Sequence, residues 1–190
     1  MGFDLAGNEK FEATNFVPVF KPLFENCFHI TVHAGETESV DSIQKAVYYL
    51  NAERIGHGLK LIENEKLMTL FSDRRIAIEM CPSSNMQIIG YKTNFMSQTD
   101  SLHEYPLHEY LKRGLKVCVN TDNPGISRTT ITDELYRAAT MSPDGLSKWD
   151  ILQLIKNGFK STFARYELKS KCLREAEQEI LHILLEQSNA

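Results

Sequence analysis

The segment FHITVHAGE, Phe28–Glu36, decides how the rest of the chain is read. Five residues of apolar and β-branched character form a strand pattern that runs straight into His33-Ala-Gly-Glu36. Behind it, from Ser39, residues Val40, Ile43, Ala46, Val47 and Leu50 fall on one helical face. A second short strand follows at Arg54-Ile-Gly56 and leads into His57-Gly58. Strand, helix, strand at this spacing predicts parallel pairing, because a parallel connection needs a crossover of a dozen or so residues.

The same alternation extends in both directions. Upstream, Met1–Ala6 is a brief apolar run closed by Gly7. Downstream, the pattern predicts a helix over Glu63–Phe71, a strand over Ile76–Met80, a helix over Pro106–Arg113 and a strand over Leu115–Val119. Only helices are expected after that, over Ile131–Met141, Ser147–Arg165 and Leu168–Leu185, the last burying Cys172, Ala176, Ile180 and Leu184 on one face. The segment from Asn85 to Tyr105 is long and polar and reads as a functional loop. No Ser-, Pro- or Gly-rich linker interrupts the chain, so residues 1–190 read as a single α/β domain with about five parallel strands followed by C-terminal helices.

Composition excludes several classes. With 21 Lys+Arg against 25 Asp+Glu the formal net charge is -4, which supplies no attraction for nucleic acid or an anionic membrane face. No apolar run approaches the roughly 20 residues of a membrane span, and no basic-then-apolar leader opens the chain. The four cysteines, Cys27, Cys81, Cys118 and Cys172, are far apart and make no CxxC pair. Free thiols and a cytoplasmic setting follow. Cys27, Cys81 and Cys118 sit in apolar contexts and are expected to be buried.

Polar residues gather where strands end: Asp4-Leu-Ala-Gly7, His33-Ala-Gly-Glu36, Gly56-His57-Gly58, Cys81-Pro-Ser-Ser-Asn85 and Asn120-Thr-Asp122-Asn123-Pro124. In parallel α/β folds the chemistry sits at the carboxyl ends of the strands. His33 and His57 are imidazole ligands or acid/base groups, and Asp122 is a carboxylate ligand, a set suited to Zn²⁺ or another borderline ion. Two ligands do not complete a catalytic zinc site, which takes three or more protein ligands and a water. Two other features are set aside. His103 and His108 are five apart with Pro106 between them, so they do not form a helical zinc pair and read as loop and helix-start residues. The charged stretch from Glu167 to Glu186 reads as the solvated face of a docking helix. Ser83, Ser84 and Asn85 read as loop-shaping residues, and Asp4 as support for the first strand end.

As a set, Thr31-Val-His33-Ala-Gly-Glu36, Arg54-Ile-Gly-His57-Gly, Cys81-Pro-Ser-Ser-Asn85 and Asn120-Thr-Asp122-x-Pro124 resemble the successive motifs of the adenosine deaminases, in order and over the whole chain. The resemblance implies a TIM (β/α)8 barrel with one zinc ion at its mouth. It implies His33 and Asp122 as zinc ligands, Glu36 as the acid that protonates purine N1, and His57 as holder of the attacking water. Gly7 would offer its backbone N–H to N3, and Asn123 would approach N7. The reaction implied is zinc-dependent hydrolytic deamination of adenosine, and of deoxyadenosine, to inosine and ammonia, with adenine or AMP as alternative substrates. A non-catalytic partial barrel acting as a binding or assembly module is the alternative of another class.

Two departures stand out. The family's His-x-His pair on its first barrel strand is missing, and 190 residues fall short of the ~250 of a complete barrel, so the chain reads as an incomplete barrel lacking N-terminal strands. Asn123 stands where the family usually has Asp. An amide carries an N–H donor at every pH, whereas a carboxyl must be protonated to donate.

Overall fold

The computed structural model describes residues 1–94 and 103–188, so the middle of the expected long loop, residues 95–102, lies outside the described residues. Five strands form one parallel sheet: β1 (Gly2–Leu5), β2 (His29–Ala34), β3 (Arg54–His57), β4 (Ala77–Met80) and β5 (Lys116–Val119). Their order in space is their order in the chain. A sheet whose strands pair in sequence, joined by right-handed crossovers, receives all its helices on one face. That is the half of a winding that curls into a barrel, not the two-sided winding of a nucleotide-binding sheet.

The strand residues divide accordingly. Ile30, Val32, Ala34, Ile55, Ile78, Met80, Val117 and Val119 are buried in the main apolar core with helix residues such as Ile43, Leu50 and Phe71. The opposite face is polar: there Thr31 donates to Glu79 at 2.8 Å, Arg54 pairs with the same carboxylate at 3.1 Å, and His33 meets Asp4. The crossovers run through helices α1 (Val17–Glu25), α2 (Val40–Leu50), α3 (Glu65–Arg74), α4 (Pro82–Ile88) and α5 (Leu107–Lys112). Ser39 stands at the N-cap of α2 and Asn51 closes it in a left-handed conformation, within a residue of the expected limits. After β5 come α6 (Pro124–Ser127), α7 (Ile131–Met141), α8 (Lys148–Ser161) and α9 (Tyr166–Ser188). Full capping boxes, Thr130 with Asp133 and Ser147 with Asp150, start α7 and α8.

Several expectations need correction. The stretch after β4 does not leave directly as a loop; Pro82 at the first helical turn opens α4, which carries Asn85. Helix α1 was not anticipated, because its two prolines, Pro18 and Pro22, disguise the helical period. Helix α8 stops at Ser161, four residues early, where Thr162 turns extended. Cys27 is exposed, not buried: it occupies a left-handed turn position behind α1, with φ 60°. Cys81 and Cys118 are buried, and no disulfide links the four thiols. In α9, Cys172, Ala176, Ile180 and Leu184 form the half-buried face and their neighbours are largely exposed. His103 is exposed beside Tyr91, and His108 lies in the first turn of α5. Among the described residues no helix is long and apolar enough to cross a membrane.

Tyr110 ties α5 to the loop behind β3. Its buried hydroxyl donates to the carbonyls of Gly58 (2.9 Å) and Leu59 (3.1 Å) and accepts from the Ile62 N–H at 2.9 Å. Removing only that oxygen in Tyr110→Phe strands buried backbone groups, and the expected loss is about 1–3 kcal/mol. Urea denaturation should show a lowered midpoint at unchanged slope.

Candidate active site

All five strands end on one rim, and the polar residues sit there because parallel strands bring their carboxyl ends together. His33 projects from β2 onto the polar face. Its Nδ1 lies 3.2 Å from an Asp4 oxygen on β1, an arrangement in which the ring donates and the carboxylate accepts. That contact leaves Nε2 free to face the cavity. It also raises the His33 pKa, against the opposing effect of burial. Gly56 on β3 is paired in register with His33, and a Cβ there would stand 3.2 Å from the imidazole. Glycine at this position makes room for the ring.

His57 and Asp122 reach the rim by an unusual backbone route. Both adopt positive φ, 64° and 53°, although neither is glycine. Such conformations cost of order 1–3 kcal/mol each and persist where the surroundings over-determine them. With His33 they line a cavity of about 380 Å³, shared with Asp4, Glu79 and Asn120. The rings of His33 and His57 lie 5.1 Å apart. His57 is 3% exposed, and burial, reinforced by the neighbouring His33, lowers its pKa to about 4. It is therefore neutral at physiological pH.

Glu36 stands beside His57, with 3.4 Å between its Oε1 and the ring Nδ1. Burial raises its pKa, while a hydrogen bond from Asn85 opposes the shift and the nearby Glu9 charge adds to it. The loop carrying Glu36 is held from below by Glu9, whose carboxylate accepts the backbone N–H groups of Glu36 (3.1 Å), Thr37 (3.1 Å) and Glu38 (2.9 Å). Asn85, fully buried on α4, donates to Glu36 Oε1 at 2.8 Å and lies 2.9 Å from His57 Nδ1. Helix α4 is itself anchored at its start, where the Ser83 N–H donates to the buried Glu134 at 2.8 Å.

His33, His57 and Asp122 thus share one cavity, and Glu36 is bonded into its wall. The remaining two expected residues sit elsewhere. Gly7 lines an adjoining cavity of about 290 Å³ that also reaches His33. Asn123 caps α6, its Oδ1 accepting the Ile126 N–H at 3.2 Å, which leaves its own N–H groups unengaged by the cap. As a metal site the donors fit in kind, an imidazole oriented by a carboxylate plus a second carboxylate. They do not fit in number: among the described residues no three His, Cys, Asp or Glu side chains are arranged to hold a metal. Glu9, Tyr105 and the bonding role of Asn85 were not read from the sequence. Glu9 lies between Asn8 and Lys10 with nothing to distinguish it from a surface acid. For Asn85, the signal available was its place at a strand end beside Cys81-Pro82.

A family model described as adenosine deaminase matches residues 1–179. A protein named adenosine deaminase from Escherichia coli O157:H7 is 39% identical over 173 residues, 90% of this chain and 49% of its own length. One from Vibrio atlanticus is 35% identical over 182 residues, 94% of this chain and 51% of its own length. The chain spans about half the length of the curated relatives it matches. Among solved structures, adenine deaminase from Arthrobacter aurescens superposes with a TM-score of 0.81 at 26% identity, covering 94% of this chain and 52% of that one. The N6-mAMP deaminase of Arabidopsis superposes with a TM-score of 0.72 at 28% identity, covering 92% and 48%. An amidohydrolase from Burkholderia ambifaria shares the fold alone, with a TM-score of 0.83 at 18% identity over 98% and 50%.

A carboxyl whose pKa is raised in the folded state binds its proton more tightly there than in the unfolded chain. Stability must then fall as pH rises from the ordinary value of 4.5 through the raised one. Glu36→Gln keeps the acceptor for Asn85 and abolishes the titration. Its stability relative to the parent should grow between pH 4.5 and neutrality, as measured by urea unfolding at both. A difference that stays constant with pH would contradict the raised pKa.

Proposed function

The chain belongs to the adenosine deaminase family, and on that premise we propose that it carries most of the catalytic set of a zinc-dependent deaminase of a 6-aminopurine, with adenosine to inosine and ammonia as the leading reaction. The observation that carries the reading is the convergence of His33, His57 and Asp122 on one cavity, with a half-buried Glu36 beside His57. The curated relatives bear the name adenosine deaminase, while structural neighbours are titled for adenine and for N6-methyl-AMP. Adenine and AMP are therefore the nearest alternative substrates. A cytoplasmic setting belongs to the same reading, supported by the four free thiols.

His33 Nε2 and an Asp122 oxygen would hold zinc, two of the three or more ligands that a catalytic site takes. When bound, the ion would acidify its water to near neutrality and so make it nucleophilic at neutral pH. Asp4 keeps the proton of His33 on Nδ1, so that Nε2 presents its lone pair. Addition of the water oxygen to purine C6 breaks aromaticity and puts negative charge on N1. Glu36, kept protonated to higher pH by burial, delivers a proton to that nitrogen. His57, neutral, holds the attacking oxygen. The backbone N–H of Gly7 meets N3 and the Asn123 amide meets N7, which orients the ring. The adduct's hydroxyl proton passes to the 6-amino group, ammonia leaves as the C6 carbonyl forms, and the proton the water gave up on addition restores Glu36.

The test is ammonia release from adenosine, adenine and AMP by the zinc-supplied chain, alone and fused behind the N-terminal half of the Escherichia coli relative. Turnover is expected in the fusion, fastest with adenosine. In the fusion, Glu36→Gln should lower kcat about 10²–10⁴-fold with zinc retained, the usual contribution of a positioned acid. No ammonia from any of the three substrates, in a fusion that binds zinc, would refute the reading. Asn123 gives an independent check. Asn123→Asp should lose purine affinity at alkaline pH, where a carboxyl no longer donates, and the parent should not. Coincident pH profiles of substrate affinity would remove Asn123 from the binding set.

A further inference from the structure

We propose that Asn85 is the positioning residue of this site, its side-chain amide holding the Glu36 carboxyl and the His57 ring in one arrangement and setting the tautomer of that ring. The orientation of the amide follows from its surroundings. On one side stand the backbone N–H of Cys81 at 3.2 Å and the hydroxyl of Tyr105 at 2.9 Å. A backbone N–H only donates, so the oxygen of Asn85 must face that side. The nitrogen then faces Glu36 Oε1 at 2.8 Å and His57 Nδ1 at 2.9 Å. Two N–H bonds meet two acceptors.

The consequence for His57 is specific. Since Nδ1 accepts, the ring proton resides on Nε2. His57 thus presents a donor on its far nitrogen and holds an oxygen by giving a hydrogen bond, without taking a proton from it. For Glu36, Oε1 is engaged by Asn85, and Oε2 is the oxygen that carries and delivers the proton. The amide and its oxygen-side partner are buried. Asn85 is 0% exposed and Tyr105 2% exposed, and burial pushes the Tyr105 hydroxyl well above its ordinary pKa, so it remains a donor. The helix bearing Asn85 is pinned by the Ser83 N–H bond to Glu134, whose other oxygen accepts from Thr129 at 2.6 Å. A competing contact, Glu36 Oε1 to His57 Nδ1 at 3.4 Å, is longer than either amide bond.

The catalytic part of this inference rests on the proposed deaminase reading; the tautomer does not. The first measurement is therefore ¹⁵N NMR of histidine-labelled chain. His57 is expected as the Nε2–H tautomer in the parent. In Asn85→Asp the amide donor is replaced by a carboxylate acceptor and the ring should turn over to Nδ1–H. Tyr105→Phe keeps the packing and leaves the Cys81 N–H to fix the amide, so the Nε2–H tautomer should persist. An Nδ1–H ring in the parent, or one tautomer in all three proteins, overturns the proposal. The second measurement is kcat and KM of the active, zinc-loaded protein. Asn85→Ala should lower kcat about 10–100-fold, the range for groups that orient active residues, with KM within about threefold and zinc content unchanged. Asn85→Gln, which keeps the amide but displaces it, should fall between. A loss confined to KM or to zinc binding refutes the positioning role. Absence of turnover in the parent refutes the deaminase reading and leaves the NMR result to decide the rest.

Discussion

Parallel pairing of neighbouring strands in chain order is the constraint on which the rest of this molecule depends. It forces each connection to cross over the same face, so helices cover one side of the sheet and leave the other to polar side chains. It also places all five carboxyl ends at one rim, which brings together residues as far apart in the chain as Asp4 and Asp122. The register then does finer work. Pairing His33 with Gly56, and Gly56 with Glu79, sets the imidazole over a residue with no side chain. A larger residue in that place would push on the ring.

Holding such a rim has a conformational cost. His57 and Asp122 lie in a backbone region that residues with a Cβ avoid, and both project into the cavity. Hydrogen bonds underneath brace the loops around His57. Glu9 gathers three consecutive N–H groups of the Glu36 loop, Glu134 holds the start of α4, and Tyr110 fixes the turn after His57. Each of these groups satisfies backbone polar atoms that would otherwise be unpaired near or within the interior. Rigidity at the rim is supplied by polar groups because irregular loops offer no ladder of their own.

The fold was largely legible in the sequence, since strand and helix periods differ and glycine, proline and asparagine mark the changes. The five strands and α2, α3, α5, α7 and α9 lie close to the expected positions. Two of the errors share a cause. Helix α1 carries two prolines, α4 opens on Pro82 after a strand, and in both the proline sits where a helix tolerates it while the composition reads as loop. Cys27 has apolar neighbours yet is exposed, because its backbone turns left-handed at the end of a helix. At the site, His33, His57 and Asp122 were legible because their strand ends announce them. Glu9 was not, since a carboxylate that binds three amides across a loop has no local signature in the chain.

Asn85 illustrates where such reading stops and geometry begins. An asparagine after Cys-Pro-Ser-Ser is a natural turn residue, and nothing in composition distinguishes a solvated amide from a buried one. The distinction comes from the four groups around it. Two are donors, on the Cys81 backbone and Tyr105; two are acceptors, on Glu36 and His57. A carboxamide is the neutral side chain that answers both with a single plane. Aspartate would set a charge against Glu36, and serine would span too few partners. The identity of residue 85 is therefore dictated by its neighbours' hydrogen-bonding roles, and those roles in turn become fixed by it. In a buried site this mutual restriction leaves one protonation arrangement for the acid and the imidazole to occupy.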